Sequence, residues 1–157
     1  MTDKDPLLDY YERATCSLQW MEFNRAFAAE LSAGLPPEEI RHLFHRIGER
    51  LAGAMPLERC NTLDELQSAF NKRWQAIAWG FCTLHDRGAQ LEITHACSPL
   101  AVAFGPASGG WAAGFFEGAY QAWFAGQGIP ASLRVRAQAS DSTGLPQVQL
   151  SLSRVPA

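Results

Sequence analysis

The chain has 157 residues, with sixteen acidic and thirteen Lys or Arg side chains and a formal net charge of -3. A chain of this length is most simply one domain, and it can bury about two thirds of its unfolded surface without a metal or a disulfide. We therefore expect a single domain over residues 1–157. The acidic balance lacks the basic surface that a nucleic-acid backbone requires, which excludes nucleic acid as an expected partner.

The N-terminal segment and the cysteines both bear on location. The segment MTDKDPLLDYYER is acidic and lacks the apolar core and the cleavage site of a secretory signal. The four cysteines are scattered with no CxxC pair, as is typical of free thiols in a reducing compartment; they are Cys16, Cys60, Cys82 and Cys97. We therefore expect a cytoplasmic protein.

Two helices are predicted early in the chain. Apolar residues at helical spacing from Trp20 to Leu31 predict a helix that ends at Gly34. The sequence PPEE at residues 36–39 then opens a second helix, because proline and acidic residues are favoured in a first turn, and Gly53 ends it.

A longer helix is predicted over residues 63–84. Thr62 and Glu65 form a capping-box pattern before a run with apolar residues on one narrow stripe. The stripe consists of Leu63, Leu66, Phe70, Trp74, Ile77, Phe81 and Leu84. Trp79 lies opposite this stripe, where a monomer normally places a charged residue.

The remaining periodic segments predict strands. Residues 91–94 alternate like a half-buried strand, and residues 133–137 and 148–152 form two more alternating runs around the turn-rich sequence DSTGLP. We therefore expect an α+β fold, with N-terminal helices packed on a small antiparallel sheet that includes a C-terminal hairpin.

The second half of the chain is unusually apolar, since Glu117 is the only charged residue between Ile93 and Leu133. Prolines and glycines interrupt this region too often for a membrane span, which needs about 20 apolar residues. The sequence WAAGFFEGAYQAWFA at residues 111–125 predicts a helix that is apolar on nearly every side.

Such a helix needs cover on two sides, and a small domain provides one. We therefore expect subunit contacts at the aromatic residues Trp79, Trp111, Phe115, Phe116, Tyr120, Trp123 and Phe124. The alternative is that the loop at residues 98–110 covers them.

No motif points to catalysis, a metal or a cofactor. His42 and His45 are three residues apart, and His85 and His95 are available, but HExxH and paired CxxC patterns are absent. The glycine-rich residues 105–110 lack the lysine of a phosphate-binding loop and predict a tight turn into a helix. The acidic pairs stand in first helical turns, where the helix dipole explains them. We expect no catalytic residue, no bound metal and no cofactor.

The sequence resembles the cellulose synthase operon protein D family, the D component of bacterial cellulose synthase complexes. The resemblance lies in CNTLDELQ at residues 60–67, its continuation through Asn71 to the AWGF segment at residues 78–81, and EGAY at residues 117–120 followed by Trp123. It is clearest from Gly53 to Gly126, while the order of elements and the chain length agree throughout.

This resemblance implies a non-catalytic accessory subunit that forms a homo-octameric cylinder. Such a subunit works near the inner membrane with other cellulose synthase subunits, arranging synthase complexes and guiding β-1,4-glucan chains into crystalline fibrils. It also implies that N-terminal segments face the glucan path; the candidate residues are Asp3, Asp5, Asp9, Tyr10 and Tyr11. Aromatic rings and carboxylates suit contacts with a sugar. A periplasmic location is the alternative to a cytoplasmic one.

Two other classes of protein stay open. A haem or small-molecule sensor would use His42, His85 or His95 as an axial ligand. A glucan hydrolase would need two carboxylates about 5 to 10 Å apart across a cleft.

Overall fold

The computed structural model describes residues 5–139 and 145–155. The N-terminal half contains α1 (Pro6–Thr15), α2 (Leu18–Gly34), α3 (Pro37–Ala54) and α4 (Leu63–Ala76). The second half contains β1 (Phe81–Asp86), β2 (Leu91–Ala96), α5 (Leu100–Phe104), a 3-10 turn (Pro106–Ser108), α6 (Gly109–Ala112), α7 (Gly114–Gly126), β3 (Leu133–Gln138) and β4 (Gln147–Arg154). The predicted α2 and α3, the strand at β2 and the C-terminal hairpin are confirmed.

The four strands form one antiparallel sheet in the order β1-β2-β4-β3. One sheet face carries a buried row across the strands, formed by Leu84, Ile93, Leu150 and Val135. Helix α7 lies between this face and α3, because it packs on both α3 and β3 and its Phe116 ring lies 4.2 Å from the ring of His95 on β2. The predicted α+β class, with helices on a small antiparallel sheet, is confirmed.

The predicted helix over residues 63–84 is wrong in its second half. Helix α4 ends at Ala76, and residues from Phe81 onward form β1. The helix ends because Ala78 and Gly80 adopt positive φ angles of 56° and 80°. A side chain at Gly80 would overlap the carbonyl oxygen of Ala96 on the neighbouring strand, so the turn needs glycine there.

Helices α3 and α7 approach each other closely at glycines. A β-carbon at Gly48 of α3 would overlap the Phe115 carbonyl oxygen, and one at Gly118 of α7 would overlap the His45 carbonyl oxygen. Because neither glycine has a side chain, the two backbones come into direct contact. This packing explains why α7 tolerates two small residues among its large aromatic residues.

None of the helices in residues 5–139 and 145–155 combines the length and the apolar character needed to cross a bilayer.

Candidate functional site

The largest concave surface in the described structure is a groove of about 760 Å³ beside α1. Its walls come from α1, α2, the segment from Ser98 to Ala113, and the facing ends of β3 and β4. The polar side chains that line it are Glu12, Arg25, Ser98, Ser108, Gln138 and Gln147. The apolar walls include Leu8, Leu100, Val102 and Val148.

The groove is close to electrically neutral. It contains one carboxylate, from Glu12, and one guanidinium, from Arg25, which donates to the Val102 carbonyl oxygen at 3.3 Å. Amides from Gln138 and Gln147 offer both donors and acceptors to a bound molecule. A surface that combines neutral hydrogen-bonding groups with apolar walls suits an uncharged polyhydroxylated ligand better than an ion.

The residues predicted for a glucan path are only partly brought together. Asp3 lies outside the described residues. Asp5 caps α1 by accepting a hydrogen bond from Leu7 N–H at 2.9 Å, and Asp9 pairs with Arg13 at 3.0 Å. Both carboxylates therefore have local structural roles.

The two tyrosines differ in environment. Tyr10 is 74% exposed. Tyr11 is half-buried and donates from its hydroxyl group to the carbonyl oxygen of Ser98, a residue of the groove wall, at 3.2 Å. Sequence reasoning missed Leu8 and Glu12, which are the α1 residues that line the groove; their four-residue spacing was the available signal.

The structure corrects the reason for placing the aromatic residues of α7 at subunit contacts. Within the protomer, α3, α4 and the sheet cover this helix, and the exposed fraction of each of six side chains is 5% or less: Trp111, Phe115, Phe116, Tyr120, Trp123 and Phe124. Trp79 lies in the connection between α4 and β1 rather than on a helix, half-buried, with its ring 4.9 Å from that of Phe115. The apolar helix is therefore the centre of the protomer core.

A chain of hydrogen bonds crosses this core. Trp74 Nε1–H donates to the Tyr120 hydroxyl oxygen at 3.0 Å, and the hydroxyl group donates to His95 Nδ1 at 2.7 Å. His95 Nε2–H donates to the Trp79 carbonyl oxygen at 2.7 Å. Because a carbonyl oxygen only accepts, His95 is the neutral tautomer with its proton on Nε2, and every member of the chain is satisfied.

Burial also keeps the ionisable groups of the core neutral. Loss of hydration lowers the pKa of His95 from 6.5 to about 4, against the opposing effect of its bond to Trp79. Burial raises the pKa of the Cys82 thiol to about 11 and that of the Tyr120 phenol well above 10. These groups stabilise the core and are not accessible to a substrate.

The histidines offer little to a metal or a haem. Both ring nitrogens of His95 are already bonded, so an axial ligand there would break two hydrogen bonds. His45 pairs with Glu49 at 3.2 Å. Within the described part of the chain, no group of three or more His, Cys, Asp or Glu residues is arranged to hold a metal ion.

Side chains from helices cover both open edges of the sheet. At β1, Asn71 accepts from Cys82 N–H at 2.7 Å and donates to the Cys82 carbonyl oxygen at 2.9 Å, while Gln67 accepts from Leu84 N–H at 2.8 Å. An uncovered sheet edge offers its unpaired backbone groups to a further strand. The α4 residues therefore close the β1 edge to strand addition.

The β3 edge is covered in the same way from α7. Glu117 is paired with Arg41 at 2.7 Å and accepts from Ala137 N–H at 3.0 Å, and Gln121 contacts Val135 at the same edge. Sequence reasoning missed these four covering residues, although Gln67, Asn71 and Glu117 belong to the motif segments that carry the family resemblance. Their polar character beside apolar stripes was the available signal.

The fold and the groove define a class of small α+β proteins in which a one-sided antiparallel sheet has covered edges and a neutral groove lies beside the first helix. Within this class, the chain belongs to the cellulose synthase operon protein D family, that of the D component of cellulose synthase, whose model matches residues 6–150. It is 32% identical over 92 residues to cellulose synthase operon protein D of Komagataeibacter xylinus. It is 30% identical over the same length to the protein of that description from Komagataeibacter sucrofermentans. Each alignment covers 57% of this chain and 59% of the relative.

Proposed function

We propose that this chain is a non-catalytic accessory subunit of bacterial cellulose biosynthesis. It assembles as a homo-oligomer, an octameric cylinder, that guides nascent β-1,4-glucan chains and organises synthase complexes for crystalline fibril assembly. Family membership over residues 6–150 supports a role in cellulose biosynthesis. Its partners are further copies of itself, other cellulose synthase subunits and the glucan chain.

The observation that supports glucan contact most directly is the neutral groove of about 760 Å³ beside α1. A glucan chain is uncharged and presents hydroxyl groups at its edges and C–H groups on its ring faces. Gln138 and Gln147 match the hydroxyl groups, and the apolar wall at Leu8, Leu100 and Val148 matches the ring faces.

The groove chemistry supports a binding role rather than hydrolysis. Glycoside hydrolysis requires two carboxyl groups that flank the scissile bond. Among the described residues that line the groove, Glu12 supplies the one carboxylate. The groove therefore guides a chain without cleaving it.

We place the assembly on the cytoplasmic side of the inner membrane, close to the synthase complex, with the periplasm as the alternative. All four cysteines are free, as in a reducing compartment. A membrane-impermeant maleimide tests this location. Labelling of the protein in spheroplasts before inner-membrane lysis would contradict a cytoplasmic location.

Saturation-transfer NMR with cellohexaose tests glucan binding on the purified protein. We expect transfer to the sugar from the wild type, and a loss of at least half of it in the Gln138→Ala/Gln147→Ala double variant. Gln75→Ala removes the same kind of side chain from an exposed position on α4 and serves as the control. Equal transfer from the double variant and the control would contradict the groove as the binding site.

A further inference from the structure

Helix α2 exposes a stripe of three large aromatic side chains. The exposed fractions of Trp20, Phe23 and Phe27 are 58%, 61% and 41%. Their spacing of three and four residues places them on one side of the helix along about 10 Å of its axis. The rings of Trp20 and Phe23 already contact each other edge to face at 5.7 Å.

The protomer uses a different side of α2 for its own packing. Ala28 is buried, and Arg25 reaches the Val102 carbonyl oxygen of α5, against which α2 mainly packs. Contacts between α2 and α3 are few. The aromatic stripe therefore contributes little to the protomer core and faces solvent.

The stripe is large enough to contribute substantially to a stable contact. The exposed parts of its three rings amount to roughly 350 Å² on one protomer, taking 150–250 Å² for each whole aromatic side chain. A standard interface buries about 800 Å² per partner, so the stripe alone would supply nearly half. Aromatic residues are also the side chains most enriched in the centres of interfaces.

Charge and geometry make a second copy of this chain the matching occupant. The three rings carry no charge, so two copies of the stripe can meet without like-charge repulsion. Most contacts between identical subunits are two-fold symmetric and use the same patch on both sides. When two α2 helices pack antiparallel, Phe23 lies beside the partner's Phe23, and Trp20 lies against the partner's Phe27.

We infer that two copies of the chain associate through an antiparallel α2–α2 contact centred on Phe23. This inference rests on the proposed homo-oligomer and identifies one of its contact surfaces. The covered edges of the sheet support a helical contact, because neither β1 nor β3 offers free backbone groups to a second copy.

The test is particle mass by light scattering for Phe23→Glu, Phe23→Lys and the wild type. Each variant places a charge beside the same charge of its partner, so we expect the mass to fall to half or less of the wild-type value. A one-to-one mixture of the two variants pairs opposite charges, and we expect it to recover most of the wild-type mass. Ala29→Glu adds the same charge at an exposed position on the opposite side of α2 and should leave the mass unchanged.

Circular dichroism separates dissociation from unfolding, and because Phe23 is largely exposed we expect folded variants. Wild-type mass in both single variants would overturn the α2 contact while leaving the proposed oligomer intact. A failure of the mixture to associate, when each variant dissociates, would overturn the antiparallel pairing centred on Phe23. A monomeric wild type would overturn the oligomer itself.

Discussion

The side-chain amide of Gln121 on α7 accepts a hydrogen bond from the backbone N–H of Val135 at 2.8 Å, on the open edge of strand β3. The same amide donates to the Leu133 carbonyl oxygen at 3.1 Å. One side chain thus satisfies a donor and an acceptor that a further strand would otherwise use. The helices hold the sheet in place and also close it to extension.

The first prediction concerns this edge. Gln121→Leu leaves the Val135 N–H and the Leu133 carbonyl group unpaired, and we expect a loss of about 1–3 kcal/mol in the free energy of unfolding. The free edge should also promote strand-to-strand association, measured as thioflavin fluorescence on incubation. Gln75→Leu adds the same apolar side chain at an exposed site on α4. Equal fluorescence from both variants would assign the effect to surface hydrophobicity alone.

The second prediction concerns the hydrogen-bond chain of the core. Tyr120→Phe removes the hydroxyl group and leaves Trp74 Nε1–H and His95 Nδ1 without a partner in a fully buried site. We expect a loss of about 2–3 kcal/mol in urea unfolding, since an unsatisfied buried polar group costs about 1–3 kcal/mol. Tyr10→Phe, at an exposed tyrosine, should change stability by less than about 0.5 kcal/mol. A loss for Tyr120→Phe as small as the control would show that the chain contributes nothing to stability.

The third prediction is a dependence of stability on pH. The pKa of His95 is 6.5 in the unfolded chain and about 4 in the folded one, so the unfolded chain binds more protons between these values. The free energy of unfolding therefore falls as the pH falls through this window, by about 2 kcal/mol between pH 7.5 and pH 5. Above about pH 7, this histidine contributes no further change.

Urea unfolding at pH 7.5 and pH 5 measures this effect. The His95→Gln variant should lose this part of the pH dependence, whereas His85→Gln, at an exposed histidine, should retain it. A wild type with the same pH dependence as His95→Gln would exclude the buried neutral histidine as its source.

The fourth prediction tests the contact between α3 and α7. Gly48→Ala places a methyl group against backbone atoms of Phe115 and Ala119, which cannot move as a side chain does. We expect a loss of about 1–3 kcal/mol, the usual cost of overpacking. Gly53→Ala, in the same helix with open space around it, should be neutral or stabilising by up to about 1 kcal/mol. A neutral result at Gly48 would contradict the close approach of the two helices.

Local patterns predicted much of this fold. The caps and stripes of α2 and α3 and the alternation in β2, β3 and β4 follow from short-range periodicity. The boundary between α4 and β1 did not, because Ile77, Phe81 and Leu84 continue a helical stripe by coincidence while Ala78 and Gly80 turn the backbone. Only contact with β2 requires that turn, and periodicity does not report contacts between distant segments.

The covering of the core was also beyond the sequence pattern. An apolar helix shows that something must cover it, but the pattern does not distinguish a second subunit from a glycine-mediated contact within the chain. Gly48 and Gly118 make that contact, 70 residues apart in sequence. For the same reason Phe116→Glu is now expected to unfold the protomer rather than to dissociate subunits, because Phe116 is fully buried.

The central claim is that the groove beside α1 guides glucan into ordered fibrils. The direct measurement is the yield and crystallinity of cellulose, by X-ray diffraction, from a producing strain that lacks its own copy of the gene for this subunit. We expect wild type and Gln75→Ala to restore both quantities. The Gln138→Ala/Gln147→Ala variant, at equal protein level and particle mass, should give less cellulose or cellulose of lower crystallinity. Full restoration of yield and crystallinity by that double variant would contradict the claim.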